Sequence, residues 1–490
     1  MADWILSRLA TFSKVKMTRT DPYQQSSEAR LAPPTTWKGT LKHLGPGFIL
    51  SASIVGSGEL IATTHLGATA GFVALWVILV SCLVKVAVQL EFGKQAILTG
   101  RTTMESLNTL PGPRLGKANW SIWLWLLLMI LKPLQVGAIV GTVAVILSMI
   151  LPLSFILPSD LAIALGSISI PVNSVFVWSI VAAVVVSLLV FRGDYQVIEK
   201  VSLVMTGLFT LLTLVSLFQL QWTPNAIAWP DITGGLKFQL PAAVAFVALG
   251  AFGITGVGGD EIMAYNYWLL EKGYARNAGP REDNQQWVDD AKGWIRVMYI
   301  DAILAMIVYT VMTVAFFLLG AAILHDQGDV PEHNQLVETL SRIYTETLGV
   351  SARYLFLFGA LAVLFSTLLA ALAAWTRLYS DAVGQIGLLN YRNPKQRHVA
   401  FAIFAWLFPA TWVACYFLIT AQPAAMVIIG GVATTVILFV VAYAALYFRY
   451  RGNDERLKPG IVYDIALWVS SISIAGVGLM GVWKLFFASA

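Results

Sequence analysis

The stretch SIVGSGELIATT, residues 53–64, lies inside an apolar segment that begins with PGFIL at residue 46. It places Gly56, Ser57 and Gly58 in a row and follows them with a carboxylate, Glu59. Neither feature suits a lipid-facing helix, because glycine costs about 1 kcal/mol relative to alanine and a charge at the bilayer centre costs at least about 2.5 kcal/mol. The stretch therefore predicts a membrane helix that is interrupted where protein or a cavity surrounds it.

A second stretch, AFGITGVGGDEIMAYNYW at residues 251–268, repeats this pattern. Aligned without gaps, GSGELIA (56–62) and GGDEIMA (258–264) are identical at their first, fourth and seventh positions. Both therefore combine clustered glycines with a carboxylate inside an apolar segment. We interpret them as two copies of one structural unit.

The whole chain has the composition of a polytopic membrane protein. Its 490 residues are 58% hydrophobic and only 12% charged, and the mean hydropathy is +0.73, which lies outside the range of soluble domains. A bilayer core needs about 20 apolar residues per helix. The chain supplies eleven candidate spans: 46–67, 72–93, 121–150, 174–191, 199–220, 240–270, 295–324, 352–385, 399–420, 423–448 and 463–487.

The two interrupted spans are the first and the sixth, five spans apart. An odd offset inverts the second copy relative to the first, so we predict two inverted five-helix repeats, residues 46–220 and 240–448, followed by an eleventh helix at 463–487. Interrupted helices at matching positions of inverted repeats are typical of a transporter whose binding site lies at mid-membrane.

Basic residues predict the orientation. Lys and Arg concentrate in residues 1–45 and in alternate loops after them, so the positive-inside rule places a cytosolic tail (1–45) and the N-terminus inside the cell and the C-terminus outside. We expect a multi-pass protein of the cell (inner or plasma) membrane. The net charge of +5 is spread over short loops, which argues against a nucleic-acid partner.

Enzyme chemistry finds little support. Cys82 and Cys415 lie in apolar runs and predict packing rather than a disulfide or zinc site, and the sequence carries neither a phosphate-binding loop nor an H-E-x-x-H signature. We predict no enzyme and no cofactor. Aromatic residues in membrane helices usually pack or anchor; those that have a chance of facing a substrate are Tyr265, Tyr267, Trp268 and Trp375.

Carboxylates lie beside both interruptions, Glu59 in span 1 and Asp260 and Glu261 in span 6. Close carboxylates oppose one another's ionisation unless a positive partner joins them: a proton, a metal ion, a cationic solute or a lysine such as Lys132. We therefore predict ion coupling by Glu59, Asp260, Glu261 and Lys132. The predicted substrate-binding residues are Gly56, Ser57, Gly58, Glu59, Thr255, Gly256, Gly258, Gly259, Asp260, Glu261 and Tyr265.

Structural roles compete with these predictions. Asp260 and Glu261 stand where a second half-helix begins and suit the capping of its free N–H groups. Lys132 precedes a helix-kinking proline and is either a counter-ion for the carboxylates or a snorkelling residue. We assign Lys85 and Glu91 of span 2 to helix packing.

Four segments resemble the NRAMP family of divalent metal transporters. They are LKHLGPGFILSASIVGSGELIATTHLGATAGFVALWVILV (41–80), GKQAILTGRTTMESL (93–107), FRGDYQVIEKVSLVM (191–205) and GAFGITGVGG (250–259). The resemblance implies an all-α protein with the leucine-transporter fold, in which the substrate lies between broken helices 1 and 6.

The metal-binding motifs of that family are missing. GSGE (56–59) stands where the family has Asp-Pro-Gly-Asn, and DEI (260–262) stands where it has Met-Pro-His. Gln135 and Ala138 occupy third-span positions that are acidic in the family. We add Gln135 to the predicted substrate-binding residues on the strength of this alignment.

Three functions remain open. The first is a secondary active, alternating-access transporter of a small organic cation or zwitterion, such as an amine or betaine, coupled to H+ or Na+, with aromatic rings facing the positive group. The second is a transporter of a hard divalent ion (Mg2+, Mn2+ or Ca2+) held by Glu59, Asp260 and Glu261. The third is a membrane receptor or scaffold without transport. The missing motifs favour the first.

Overall fold

The computed structural model describes residues 21–153, 162–165, 168–191, 195–325, 328, 336–349, 352–419, 423–452 and 454–487. Residues 1–20 of the predicted tail lie outside this part of the chain, as does the Ser57 side chain. Long apolar helices make up most of what is described.

Helices occupy all eleven predicted spans. Their bounds are Pro46–Ile54, Val55–Thr63 and Thr64–Ala70 (span 1); Leu75–Thr99 (span 2); Trp120–Leu128 and Lys132–Ile150 (span 3); Ser174–Phe191 (span 4); Tyr195–Leu220 (span 5); Ala245–Ile254 and Gly259–Lys272 (span 6); Gln285–Leu319 and Gly320–His325 (span 7); Ala352–Ile386 (span 8); Pro394–Leu418 (span 9); Pro423–Tyr447 and Phe448–Gly452 (span 10); and Ile461–Phe487 (span 11).

Short elements connect the spans. The α-helices among them are Trp37–Leu41, Thr103–Leu107, Trp229–Gly235, Tyr274–Ala278 and Leu336–Leu348, and the 3-10 turns are Ser27–Ala29, Gly71–Ala74, Ala242–Val244 and Glu455–Leu457. Two antiparallel hairpins complete the described elements, Arg114–Leu115 with Ala118–Asn119 and Ala162–Leu165 with Ile168–Pro171.

By length and hydropathy, nine helical stretches of the described residues can cross a membrane. One of them, Pro46–Thr99, contains spans 1 and 2 together, and Gly207–Leu220 of span 5 is a shorter apolar helix. The eleven predicted spans and these stretches therefore describe the same helices. The chain is a multi-pass membrane protein.

Span 1 is interrupted without losing its helical path. Residues Val55–Thr63 form a π-helical stretch between two α-helical segments. A side chain at Gly56 would overlap the Thr367 hydroxyl of span 8, and one at Gly58 would lie 2.9 Å from the Ile254 carbonyl oxygen. These two glycines are among the predicted substrate-binding residues, and in the structure they allow close packing against spans 8 and 6.

Span 6 is truly unwound. Its first half ends at Ile254, its second half begins at Gly259, and Gly256 between them has φ +61°, a left-handed conformation that glycine adopts without strain. Gly258 is the N-cap of the second half. The predicted break is thus present at the predicted place.

The first half of span 6 packs directly on span 10 through glycines. A side chain at Gly253 would overlap the Gly431 carbonyl oxygen, and one at Gly250 would lie 2.8 Å from the Ile428 carbonyl oxygen. The two helices therefore touch along their backbones, which fixes the distance of span 10 from the break.

Span 7 caps the start of span 1. The Asp301 carboxylate accepts hydrogen bonds from the backbone N–H groups of Gly45 (2.8 Å) and Gly47 (2.6 Å). It thereby satisfies N–H groups that a helix N-terminus leaves unpaired.

Candidate functional site

Lys132 joins three spans beside the break of span 6. Its buried Nζ donates to Gln135 Oε1 (2.8 Å) in span 3, Thr434 Oγ1 (2.8 Å) in span 10 and Asp260 Oδ1 (3.2 Å) in span 6. An ammonium group has three protons, and each has a partner here. Of the two roles left open for Lys132, the structure supports the counter-ion, because its nitrogen lies inside the protein and pairs with a predicted carboxylate.

Asp260 and Glu261 lie in the first turn of the second half of span 6, where the positive end of the helix dipole favours carboxylates. The two residues are adjacent in sequence, and Asp260 pairs with Lys132 at 3.2 Å. The Glu261 Oε2 atom is buried and has no hydrogen-bond partner among the described residues. The half-helix begins where the sequence predicted, but its N-cap, Gly258, makes no side-chain cap hydrogen bond, and the Glu261 Oε2 acceptor remains available among the described residues.

Glu59 is fully buried in the π-helical stretch of span 1. Its Oε1 accepts a hydrogen bond from the Thr313 hydroxyl of span 7 at 2.7 Å. Its Oε2 is also buried without a hydrogen-bond partner in the described part of the chain. A buried polar atom without a partner costs about 1–3 kcal/mol, so it calls for an explanation.

Lys85 of span 2 holds the other side of the break in span 6. Its buried Nζ donates to the carbonyl oxygens of Phe252 and Thr255 (2.8 Å to Thr255), and the Gly253 carbonyl oxygen lies at 3.5 Å. Ser81, one turn earlier, donates to the same two carbonyls at 3.0 and 2.9 Å. Sequence reasoning assigned Lys85 to packing; the available signal was the cost of a lysine inside an apolar span.

A small cavity of about 20 Å³, room for about one water molecule, lies between spans 1, 6 and 8. Asp260 and Glu261 supply its carboxylates, and Trp268 and Trp375 supply aromatic surface. The remaining lining is small or apolar and comes from spans 1, 6 and 8: Ile49, Leu50, Ser53, Ala264, Ala370, Ala371 and Ala374.

Most other predicted substrate residues lie elsewhere. Thr255 is buried and its hydroxyl donates to Ser81 (2.8 Å), and Gln135 accepts from Lys132. Tyr265 does not line the cavity, because its hydroxyl donates to Asp301 of span 7 at 3.1 Å. Substrate binding by Tyr265 stays a prediction. Three predicted glycines are close-packed: Gly256 against Cys82, Gly258 against Glu261 and Gly259 against Ile437.

A charged layer beside the cavity joins residues 21–23 to spans 6, 8 and 9. Arg377 binds Glu271 through two hydrogen bonds (2.6 and 2.8 Å) and lies 4.8 Å from the ring of Trp268, a cavity residue. The Tyr23 hydroxyl donates to the same glutamate at 2.5 Å, and Asp21 pairs with Arg397 at 2.8 Å. Burial, followed by the nearby Glu271 charge, raises the pKa of the Tyr23 phenol, which therefore stays a donor.

Metal ligands do not gather in this conformation. Within the part of the chain that the structure describes, no three His, Cys, Asp or Glu side chains approach closely enough to hold an ion. A metal ion bound by all three carboxylates, as one of our alternatives expected, would require them to move together.

Interrupted spans 1 and 6, with charged groups at the break, define a membrane transporter of the leucine-transporter fold. The chain belongs to the natural resistance-associated macrophage protein-like (NRAMP) family, which matches residues 47–484. The sequence resemblance is thereby confirmed. The family consists of transporters, not enzymes.

Individual relatives are distant but cover most of the chain. A divalent metal cation transporter of Mycobacterium tuberculosis is 24% identical over 74% of this chain and 73% of its own length. An uncharacterized protein of Pasteurella multocida is 25% identical over 90% of this chain and 91% of its own length. The first of these relatives is named for divalent metal transport, and the name of the second gives no substrate.

Solved structures confirm the fold. The match to a manganese transporter of Eremococcus coleocola covers 94% of this chain and 92% of the transporter chain, with a TM-score of 0.59 at 15% identity. The match to MhsT in complex with L-phenylalanine covers 93% of this chain and 100% of the MhsT chain, with a TM-score of 0.53 at 13% identity. At these identities the likeness concerns architecture alone.

Proposed function

We propose that this protein is a secondary active transporter of a hard divalent cation, with Mn2+, Mg2+ and Ca2+ as the substrate class. The observation that carries the proposal is a pair of buried carboxylate oxygens without partners, Glu59 Oε2 and Glu261 Oε2, one on each interrupted span. Such oxygens suit a cation that arrives during transport.

The choice of a hard cation follows from the ligand chemistry. Oxygen donors prefer Mg2+, Ca2+ and Mn2+ to softer metals. Asp260 is paired with Lys132, which leaves Glu59 and Glu261 as the acids with an oxygen to offer. We infer that these two bind the ion together with water, and that Asp260 and Lys132 position the second half of span 6.

Alternating access around the break would carry the ion across. The charged layer of Tyr23, Glu271 and Arg377 closes the cavity toward the N-terminal segment, so it is the layer that must separate for release on that side. With the predicted cytosolic N-terminus, inward movement of a cation is favoured by about 2.3 kcal/mol per charge per 100 mV.

Uptake into proteoliposomes tests this proposal. We expect uptake of at least one of Mn2+, Mg2+ and Ca2+, and a loss of about tenfold or more in both Glu59→Gln and Glu261→Gln, since each replaces a negative ligand (1.4 kcal/mol is tenfold). Glu28→Gln, at an exposed position, is the matched control and should match the wild type. Wild-type rates in both buried variants would overturn the site assignment.

A second candidate rests on the cavity lining. Trp268 and Trp375 together with Asp260 and Glu261 offer aromatic faces and negative charge to an organic cation, and the cavity between them would have to widen to admit one. The same liposomes should be tested with amines and betaines. Uptake of these and of none of the three metal ions would replace the divalent proposal with this one.

A further inference from the structure

The first half of span 6 ends in a group of carbonyl oxygens that face a single ammonium group. Phe252, Gly253 and Thr255 present these oxygens, and Lys85 Nζ contacts all three. The Phe252 ring lies 4.7 Å from the same nitrogen. Lys85 itself is completely buried.

This arrangement has the chemistry of a cation site. The C-terminus of a helix carries a partial negative charge because its last carbonyls have no partner within the helix. In transporters with broken helices, carbonyls of the unwound segment and the C-terminal end of a half-helix are the groups that coordinate a coupling Na+. In this chain a lysine side chain from span 2 fills that position.

Lys85 binds backbone carbonyl oxygens rather than a carboxylate. The ionisable groups near its ammonium group are Cys82 in its own span, Glu59 in span 1 and Glu261 in span 6. Lys85 forms no salt bridge with either glutamate among the described residues, whereas Lys132 does pair with Asp260. The two buried lysines of the site therefore differ: one neutralises a carboxylate, and the other neutralises a helix end.

We propose that Lys85 is a tethered cation that occupies the ion-binding position of broken span 6, so that the protein neither binds Na+ there nor depends on Na+ for transport. The binding half of this inference stands on the geometry of span 6 alone. The transport half rests on the proposed function. Lys85 is a positioning residue, because it acts on the break and not on the substrate.

Thermal unfolding of purified protein in NaCl and in choline chloride at equal ionic strength tests the binding half. Wild type should unfold at the same temperature in both salts, whereas Lys85→Ala, which empties the carbonyl site, should gain several degrees in Na+. Stabilisation of wild type by Na+, or a folded Lys85→Ala that ignores Na+, would overturn the proposal.

A second variant keeps the test decisive where Lys85→Ala does not fold. Lys85→Arg retains the charge and should remain indifferent to Na+, while Lys85→Ser removes the charge, leaves room for an ion and should be recovered in higher yield from Na+ than from choline. Equal yields of Lys85→Ser in both salts would contradict the proposal.

Transport supplies a separate readout. Divalent uptake by wild-type liposomes should change less than twofold when choline replaces Na+, and uptake by Lys85→Ala should be restored in part by Na+ alone. Wild-type uptake that requires Na+ would overturn the Lys85 inference. Absence of divalent uptake in either salt would instead overturn the proposed function and leave the unfolding result to decide the role of Lys85.

Discussion

The interruptions of spans 1 and 6 look alike in sequence but are built differently. Span 1 keeps a continuous helical path through a π-helical stretch, whereas span 6 has a non-helical segment between Ile254 and Gly259. Span 6 consequently exposes the ends of two half-helices. Lys85 binds one end, and the Asp260–Lys132 pair lies at the other.

The two interruptions therefore differ in whether they need charged side chains as partners for their backbone groups. An unwound segment in the membrane needs partners for its freed backbone groups, and the carbonyls of span 6 obtain them from Lys85 and Ser81 of span 2. A π-helical stretch keeps its backbone bonded, so span 1 needs no such lysine. Glu59 therefore does not cap a helix end, and its Oε2 atom has no hydrogen-bond partner among the described residues.

The largest stability effect should come from removing the partner of the second end of span 6. Lys132→Met leaves Asp260 as a buried carboxylate without its cation, which should cost about 3–5 kcal/mol in the free energy of unfolding. Denaturant titration in detergent micelles measures this. Lys237→Met, at an exposed lysine, should stay within about 0.5 kcal/mol of wild type.

A double variant sharpens that result. Lys132→Met combined with Asp260→Asn removes both charges, so it should recover a large part of the stability that Lys132→Met loses. A double variant no more stable than the single one would show that Asp260 is not the group that Lys132 neutralises.

A smaller effect should separate the glycines of the two spans. Gly253→Ala places a methyl group against a backbone carbonyl of span 10 that cannot turn away, whereas Gly56→Ala meets the side chain of Thr367 first. We expect Gly253→Ala to lose about 1–3 kcal/mol, as overpacked cores do, and Gly56→Ala to lose less. The midpoint of thermal unfolding ranks the two; the reverse order would contradict the comparison.

The smallest effect should come from the hydroxyl support of the unwound segment. Ser81→Ala removes hydrogen bonds to Phe252 and Thr255 and leaves the Thr255 hydroxyl without its acceptor, for a loss of about 1 kcal/mol. Ser187→Ala, whose hydroxyl bonds only a carbonyl of its own helix, serves as the buried control. Equal stability of the two variants would mean that Ser81 does not support the break.

Hydropathy and glycine clusters predicted the architecture well. Span bounds agree to within a few residues for spans 4, 8 and 10, because a bilayer requires long apolar runs that a sequence displays directly. The largest difference is span 7, where the helix begins at Gln285 rather than 295, since its first three turns are polar. Span 3 also divides before Lys132, where a proline begins the second helix.

The site was less predictable, for physical reasons. Glycine signals close packing as readily as unwinding, so the sequence could not tell Gly56, which packs, from Gly256, which turns the chain. The role of Lys85 depends on how span 2 lies against span 6, a relation that no local pattern encodes. The alanines of span 8 that line the cavity resemble ordinary packing residues.

The charged layer beside the cavity carries a consequence for the conditions of any transport assay. Arg377–Glu271 and Arg397–Asp21 are ion pairs. When such a pair separates into water, each charged group loses its partner and becomes hydrated and surrounded by counter-ions. The salt concentration on that side of the membrane then affects the opening equilibrium. Dissolved salt screens separated, hydrated charges far more than it screens charges paired inside the protein. A closed cavity should therefore open more readily at high ionic strength, with no change in the substrate at all.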